Sequence, residues 1–373
     1  MKEAAESRAV AVWAVTPGGV EVARRIQGGL GRGVCFAPRR LAACGCTPFD
    51  RPGTALTEVF DRFQGHVFVM ATGIVVRLIA PLLRHKSRDP AVVVVDETGR
   101  WAISLVAGHL GGANRLARQT ARILGAQAVI TTATDLRGVP AVDAIAAERG
   151  LAVENTDAIK AVSMALLAGS GVWLFDPDGW FADALPDPFC RPLAAPMDSS
   201  ANLEALGPGV WVDDRRLDLP GSTLVLRPPS LVAGVGCNRG TGADEILDLI
   251  HGVLARHGLS AQSLAVVASI DLKADETGLR EAAAALGAAF VCFQRSELAR
   301  VEGISSPSPM VQKHVGVGSV CEAAAILGAR GGALIVPKHK SANATVAIAR
   351  RACTSWASAP EPPITCPHGP SPF

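Results

Sequence analysis

The chain has 373 residues, of which 49% are hydrophobic and 19% are charged, and its formal net charge is +2. That length favours two or three domains, and the composition is typical of a globular protein. The near-neutral charge, the 5% of aromatic residues and the lack of Tyr argue against a nucleic-acid partner. No apolar run reaches the roughly 18 residues of a membrane span. The N-terminus also lacks a signal-peptide pattern, so the sequence predicts a cytoplasmic protein without a membrane partner.

Residues 1–150 alternate strand-like and helix-like segments and predict a first α/β domain, which is expected to carry the catalytic groups. The predicted strands are 10–15, 66–70, 91–95 and 128–132, and the predicted helices are 74–83 and 113–124. Strands that alternate with helices form mostly parallel sheets through right-handed crossovers. The uninterrupted valines of 92–95 support this prediction, because parallel strands are covered on both faces.

Residues 151–226 are rich in Pro, Asp and Gly beyond a helix at 155–168, and they predict a small middle region. A second α/β domain is predicted at 227–352, entered through the linker-like segment 227–230, since consecutive prolines stop regular structure. Its predicted strands are 231–235, 263–270, 289–293 and 333–337, and its helices are 243–257, 277–286 and 320–327. The proline-rich residues 353–373 predict a disordered tail. The expected fold is therefore two α/β domains with mostly parallel sheets, joined by the middle region around a cleft.

Small, polar or charged residues follow four strand-like runs between residues 71 and 135. In open α/β sheets, ligands bind at the carboxyl ends of strands. The sequence therefore predicts that these four ends line one wall of an active site.

The segment 108–114, with the sequence GHLGGAN, precedes the predicted helix 113–124. Its glycines permit close approach of a ligand, and free amides at a helix start suit an anionic oxygen. His109 is a candidate general base, because imidazole titrates near neutrality. The alternative is a tight turn in which the backbone holds the histidine.

Two further groups of candidates follow strands. Asp96 and Glu97 come after 91–95, and one of them could orient His109, but the same residues also suit a hairpin turn. Residues 131–135 offer hydroxyls for a carbonyl oxygen, and Asp135 could polarise water. Helix capping is the alternative for that segment.

A basic group surrounds the predicted helix 74–83 and consists of Arg77, Arg84, His85, Lys86 and Arg88. Such a group would bind a polycarboxylate, with Arg suited to paired hydrogen bonds. The alternative is a solvated helix end, where Lys and Arg are favoured.

Residues 234–242 form a second glycine-rich helix entry, but the glycine spacing fails the dinucleotide fingerprint and no Lys-Ser pair makes a P-loop. An anion nest fits better. Cys237 in this segment is a candidate nucleophile, although a buried thiol is the more usual case. The cysteine count of nine is odd, and Cys44 and Cys46 lack a second pair at zinc spacing, so reduced thiols and no metal site are predicted.

The order of these segments resembles the family of the cobalamin-biosynthesis protein CbiG, the cobalt-precorrin-5A hydrolase of the anaerobic pathway. The N-terminal likeness is carried by residues 73–77, 86, 89–90, 96–97, 108–114 and 131–135. A second likeness runs through residues 234–240, 315–322 and 338–350.

The resemblance implies hydrolytic opening of a δ-lactone on cobalt-precorrin-5A and release of a two-carbon fragment as acetaldehyde, which gives cobalt-precorrin-5B. Cobalt would arrive inside the substrate, so no cofactor is expected. Expected partners are this substrate, with other corrin-pathway enzymes and a second copy of the chain as further candidates. The alternative is a non-catalytic tetrapyrrole-binding protein that hands over corrin intermediates, because the same basic rims and glycine loops would serve it.

The candidate residues fall into two sets. The catalytic candidates are His109, Asp96, Glu97 and Asp135. The candidates for substrate binding are Gly73, Arg77, Lys86, Gly108, Gly111, Gly112, Asn114, Thr131, Thr132, Gly236, Asn238 and Lys338.

Overall fold

The computed structural model describes residues 9–42, 45–85, 88–194, 200–306, 318–330 and 332–351. The chain divides after Ile145 into two compact units, called here the N-terminal and the C-terminal unit. Within the described residues, no helix is both long enough and apolar enough to cross a membrane. The predicted tail at 353–373 lies outside the described residues, and the predicted domain boundaries stay predictions.

The N-terminal unit is built on one seven-stranded sheet with the strand order β3-β2-β1-β4-β5-β6-β7. Its strands are β1 (Val10–Ala14), β2 (Gly33–Pro38), β3 (Cys46–Phe49), β4 (Gly65–Val69), β5 (Ala91–Val95), β6 (Trp101–Val106) and β7 (Gln127–Val129). Its helices are α1 (Pro17–Leu30), α2 (Pro52–Val59), α3 (Thr72–Ile79), α4 (Ala113–Leu124) and α5 (Ala133–Arg137), and α6 (Val142–Glu148) begins in it. The predicted α/β class with mostly parallel pairing is confirmed.

The alternating side chains of β5 explain why this sheet is covered on both faces. All five residues of the strand are buried. Val93 and Val95 belong to one hydrophobic cluster with α1 and α4, whereas Val92 and Val94 belong to a second cluster with Trp13 and several Phe side chains. Successive residues of a strand point to opposite faces, so a continuous valine run can fill both cores.

The direction of β6 decides which loops can meet. The strands β1 to β5 are parallel, but β6 pairs antiparallel with β5, and β7 pairs parallel with β6. One edge of the sheet, called the carboxyl edge, therefore holds the carboxyl ends of β1 to β5. The opposite edge, called the amino edge, holds their amino ends together with the carboxyl ends of β6 and β7. The expectation that four strand ends form one wall is wrong, because a hairpin reverses the chain between β5 and β6.

His66 in β4 is a fully buried histidine with both ring nitrogens engaged. Its Nδ1 accepts a hydrogen bond from the Trp13 indole at 3.1 Å, and its Nε2 lies 3.0 Å from the Phe60 carbonyl. A carbonyl only accepts, so Nε2 carries the proton and the ring is neutral. Burial lowers the pKa of His66 to about 4.

We expect this histidine to destabilise the N-terminal unit in acid. The folded pKa lies below the ordinary value of about 6.5, so between those values the unfolded chain binds more protons. Stability is therefore fully present above pH 6.5 and falls by about 3 kcal/mol as the pH drops to 4. Hydrogen exchange of β1 and β4 in the full chain measures the effect. A His66→Gln variant keeps a donor and an acceptor but cannot titrate, and identical pH dependence in both proteins would contradict the prediction.

The C-terminal unit contains two five-stranded sheets, with the orders β10-β9-β11-β12-β8 and β15-β14-β13-β17-β16. Its strands are β8 (Ala152–Val153), β9 (Val172–Phe175), β10 (Cys190–Pro192), β11 (Gly209–Val212), β12 (Thr223–Arg227), β13 (Leu231–Cys237), β14 (Leu264–Ile270), β15 (Ala289–Phe293), β16 (Ala333–Lys340) and β17 (Ala344–Arg350). Its helices are α7 (Ala158–Leu167), α8 (Ser200–Ala205), α9 (Ala243–Arg256), α10 (Thr277–Ala285), α11 (Arg295–Leu298) and α12 (Val320–Gly328).

The strand β17 was not predicted. It lies between β13 and β16 and pairs antiparallel with β13. The expected end of the last strand at residue 337 is also wrong, since β16 continues to Lys340.

The segment 227–230 begins inside a strand rather than in a free linker. Arg227 is the last residue of β12 and is 2% exposed. Its guanidinium bonds to Glu154 and donates from Nη1 to the carbonyls of Asp213 and Arg215, at 2.7 Å each. Ser230 is buried as well, with its hydroxyl 2.6 Å from Asp214. Buried polar groups with several partners hold this junction in place.

Candidate active site at the amino edge

The loop between β6 and α4, residues 107–112 and called here the His109 loop, is a tight, self-bonded turn. Ala107 and Gly112 have positive φ angles of 58° and 81°. A side chain at Gly111 would lie 2.4 Å from the Ala107 Cβ and 3.1 Å from the Asp89 carbonyl, so only glycine fits. The Gly112 amide donates to the His109 carbonyl at 2.8 Å and the Asn114 amide to the Gly108 carbonyl at 3.0 Å. The amide of Gly112, expected to receive a ligand oxygen, is therefore already used.

His109 meets Asp135 at this edge, as the carboxyl ends of β6 and β7 lie side by side. The imidazole Nε2 is 3.2 Å from the Asp135 Oδ2 and 3.0 Å from the Thr134 hydroxyl. A carboxylate at this distance accepts the Nε2 proton, which leaves Nδ1 as the ring nitrogen able to take a proton. The side chain of His109 is 24% exposed, so a ligand has access to the ring.

Asn114 in the first turn of α4 ties these groups together. It is 4% exposed, and its amide nitrogen donates to Asp135 at 2.8 Å and to the Thr132 hydroxyl at 3.0 Å. Its amide oxygen accepts from the Ser104 hydroxyl at 2.7 Å. Gly108 packs directly over this amide, since a Cβ there would lie 3.0 Å from the Asn114 oxygen. Asn114 therefore positions Asp135 rather than offering itself to a ligand.

Asp135 is held as a charged carboxylate. Burial alone would raise its pKa, but hydrogen bonds from Thr132, Arg118 and His109 outweigh burial and lower the pKa. The Thr132 hydroxyl donates to Oδ2 at 2.5 Å, and the Arg118 guanidinium pairs with Oδ1. The carboxylate therefore faces the histidine and not the amides of α5, so the capping alternative does not describe it. Thr131, next in the chain to Thr132, is exposed.

A second carboxylate lies on the other side of the imidazole. Asp143, at the start of α6, places its Oδ1 3.8 Å from the His109 Nδ1, and its side chain is 7% exposed. That separation is too long for a direct hydrogen bond. A water between the two groups could donate one hydrogen to Nδ1 and the other to Asp143, which would leave its lone pairs free for attack.

The structure separates Asp96 and Glu97 from His109. They lie in the hairpin at the carboxyl edge, and β6 sets them roughly 17 Å from the His109 loop. The Asp96 carboxylate accepts from the amides of Arg100 and Trp101 at 2.8 and 2.7 Å. Burial would raise the pKa of Asp96, but the hydrogen bonds of its own turn lower it. The hairpin alternative describes Asp96, and the expected contact with His109 is not formed.

These two acids instead line a cavity of about 440 Å³ at the carboxyl edge, with the loops that follow β1 and β4. From β1 the chain continues to β2 on one side of the sheet, whereas from β4 it continues to β5 on the other side. Gly73 and Arg77 belong to α3, which starts at this edge, and the Arg77 guanidinium donates back to the Gly73 carbonyl at 3.4 Å. Since α3 starts at the carboxyl edge, its first turn with Gly73 lies at the end of the sheet opposite the His109 loop. Lys86 lies outside the described residues.

The residues of the C-terminal unit predicted to bind substrate already make contacts within that unit. The Asn238 amide donates to the Asn343 carbonyl at 2.8 Å, and the neighbouring Gly240 amide donates to Glu276 at 3.1 Å. Lys338 donates to the Ser306 carbonyl at 2.7 Å. Gly236 lies in β13, where a Cβ would meet the Thr345 hydroxyl at 2.9 Å. Burial raises the pKa of the nearby Cys237 thiol, which favours a buried thiol over a nucleophile.

In the described part of the chain, no three His, Cys, Asp or Glu side chains are grouped to hold a metal ion. Three residues of the His109 site were missed by sequence reasoning: Ser104, Arg118 and Asp143. Arg118 could have been found, because it lies four residues after Asn114 on the same helix face. An acid in the first turn of a helix is common, so Asp143 carried no signal of its own.

The fold and this site define an α/β protein with an imidazole–carboxylate pair at adjacent strand ends. Three family profiles match the chain in order: "Cobalamin synthesis G N-terminal" at 54–135, "Cobalamin biosynthesis central region" at 140–228 and "Cobalamin synthesis G C-terminus" at 231–349. The chain therefore belongs to the CbiG family, as its sequence predicted.

Two relatives extend the likeness over most of the chain. "Cobalt-precorrin-5A hydrolase" of Salmonella typhimurium is 36% identical over 86% of this chain and 92% of its own length. The protein of the same name from Priestia megaterium is 35% identical over 79% of this chain and 80% of its own. A third relative matches a shorter part of the chain: "Protein CobE" of a Sinorhizobium species is 40% identical over 32% of this chain and 79% of its own length.

Proposed function

We propose that this chain is a cobalt-precorrin-5A hydrolase that opens the substrate δ-lactone with water and releases acetaldehyde, giving cobalt-precorrin-5B. The observation that carries the proposal is the hydrogen bond between His109 and Asp135, which holds Nε2 and leaves Nδ1 for proton transfer. The names of the two relatives that match most of the chain support the same activity.

In the first step, His109 acts as the general base. A water gives one proton to Nδ1 while its oxygen bonds to the lactone carbonyl carbon. The acyl–oxygen bond then breaks, and the ring oxygen leaves as a hydroxyl after taking the proton back from the imidazolium. The anionic Asp135 stabilises that imidazolium throughout, in the way an acid partner does in hydrolytic triads.

The second step removes the two-carbon fragment. His109 takes the proton of the hydroxyl on that fragment, the carbon–carbon bond to the macrocycle breaks, and the fragment leaves as acetaldehyde. The electron pair of the broken bond stays on the macrocycle, and the imidazolium of His109 gives its proton to solvent, which restores the neutral base.

Two groups can stabilise the oxyanion of the first step. Among the described residues, the Gly111 amide has no hydrogen-bond acceptor, unlike the Gly112 amide, so it can donate to the oxyanion. The Arg118 guanidinium is 47% exposed beside Asp135 and adds positive charge.

Other features belong to the same proposal. Cobalt enters within the substrate, and no resident cofactor is needed. The protein works in the cytoplasm, where other corrin-pathway enzymes and a second copy of the chain are candidate partners.

Incubation of the full chain with cobalt-precorrin-5A tests the proposal. We expect acetaldehyde, measured through NADH consumption by alcohol dehydrogenase, in a one-to-one ratio with cobalt-precorrin-5B. Heat-denatured protein is the control. Tight binding of the substrate without acetaldehyde would instead favour the non-catalytic tetrapyrrole-binding alternative.

A further inference from the structure

A second cavity, of about 340 Å³, lies on the amino edge beside the His109 loop. It is bounded by the chain entering β4, the chain entering β5 and the His109 loop itself. The lining residues are Asp61, Arg62, Phe63, Gln64, Arg88, Asp89, Pro90, Leu110 and Gly111. We call it the Arg62/Arg88 pocket.

The two arginines of this pocket have no partner in the described part of the chain. Arg62 and Arg88 are both exposed, and neither guanidinium makes a hydrogen bond or ion pair with a described residue. Guanidinium groups without a protein partner are suited to bind a carboxylate through two parallel hydrogen bonds.

The two acids of the pocket are already engaged. Asp61 forms an ion pair with Arg84 at 3.2 Å. Asp89 is 8% exposed and accepts from the backbone amides of Arg84 and His85, at 2.9 and 3.2 Å. The negative charges of these two acids are therefore partly compensated by their own neighbours. The two unpaired guanidinium groups make the electrostatic potential of the pocket positive.

The pocket is a short distance from the catalytic candidate. Leu110 and Gly111 line it, and His109 is one residue before them. Consecutive Cα atoms are about 3.8 Å apart, so the backbones of His109 and Gly111 lie within about 7.6 Å. A ligand group in the pocket and a second group at the imidazole can thus belong to one macrocycle.

We propose that the Arg62/Arg88 pocket binds a carboxylate side chain of the substrate and so positions the lactone at His109. The inference rests on the proposed function for the identity of the substrate. It replaces Arg77 as the expected carboxylate ligand at this site, because Arg77 belongs to a helix that begins at the opposite edge.

A binding experiment tests the pocket without turnover. The probes are cobyrinic acid, which carries free carboxylates on a corrin ring, and its heptamethyl ester, which carries none. Equilibrium dialysis of the full chain should show that Arg62→Gln and Arg88→Gln each weaken binding of the acid by about tenfold or more. Neither substitution should change binding of the ester, and Arg62→Lys should restore only part of the affinity.

The matched control is Arg40→Gln, which removes an exposed arginine that follows β2 at the carboxyl edge. Equal affinity for cobyrinic acid in the wild type and both pocket variants, or an equal loss in the control, would overturn the proposal. Circular dichroism checks that each variant is folded.

Kinetics separates this proposal from the proposed function. With cobalt-precorrin-5A, each pocket variant should raise KM by about tenfold and leave kcat within about threefold, because the arginines bind substrate and do not transfer protons. Acetaldehyde release with unchanged KM would overturn the pocket and leave the function standing. Arginine-dependent binding of cobyrinic acid without any acetaldehyde release would overturn the proposed function and leave the pocket standing.

Discussion

Replacing His109 with Ala is expected to lower kcat for acetaldehyde release by about 10²- to 10⁴-fold, the usual contribution of a positioned general base. The physical reason is that Nδ1 is the proton acceptor of the site, while Asp135 holds Nε2 at 3.2 Å. The fold should survive, because the ring is partly exposed and the backbone of its loop is bonded to itself. Initial rates at saturating cobalt-precorrin-5A measure the loss.

Two further variants make that result interpretable. Asp135→Asn keeps the shape of the side chain but removes the charge that stabilises the imidazolium, so it should also lower kcat. His251→Ala removes an exposed histidine of α9 in the other unit and should leave kcat unchanged. If the His109 variant releases acetaldehyde at the wild-type rate, the base lies elsewhere and the amino-edge site is not catalytic.

Replacing Arg227 with Met is expected to destabilise the C-terminal unit by about 2–4 kcal/mol, because each buried carbonyl that loses its donor costs about 1–3 kcal/mol. The change leaves Glu154 without its cation and two carbonyls of the segment 213–215 without a donor. Urea unfolding followed by tryptophan fluorescence reports on this sheet, because Trp173 and Trp211 lie in the adjacent strands β9 and β11.

The control for Arg227 is Arg239→Met. Arg239 pairs with Asp275 at 3.1 Å, but both side chains are about two-thirds exposed. Its longer contact, 3.5 Å to the buried Glu276, is backed by Lys273, which lies 3.0 Å from the same carboxylate and stays in the variant. Exposed pairs contribute about 0–1 kcal/mol, so this variant should unfold at nearly the wild-type urea concentration. Similar urea midpoints for the two variants would show that the buried Arg227 contributes no more to stability than the exposed Arg239.

The sequence alone was enough to predict the fold class, because its signals are local. The predicted bounds of α4 match those observed, since a helix with glycines before and after it has clear ends. The valine run of β5 likewise marks a strand covered on both faces. The CbiG resemblance was also present in the sequence, as it depends on the order of short segments and not on their arrangement in space.

Pairing direction and distant contacts were decided only by the tertiary structure. The hairpin alternative for Asp96 and Glu97 implied that β6 runs against β5, but local sequence also left the active-site alternative open. The observed reversal puts Asp96 and His109 at opposite edges. The contacts of His109 with Asp135 and Asp143 join segments 26 and 34 residues away, and no periodic pattern encodes such distances. The Arg62/Arg88 pocket has the same origin, because its two arginines come from different loops that meet only when β4 and β5 pair. Local propensity is read from neighbours in the chain, whereas a site is made by neighbours in space.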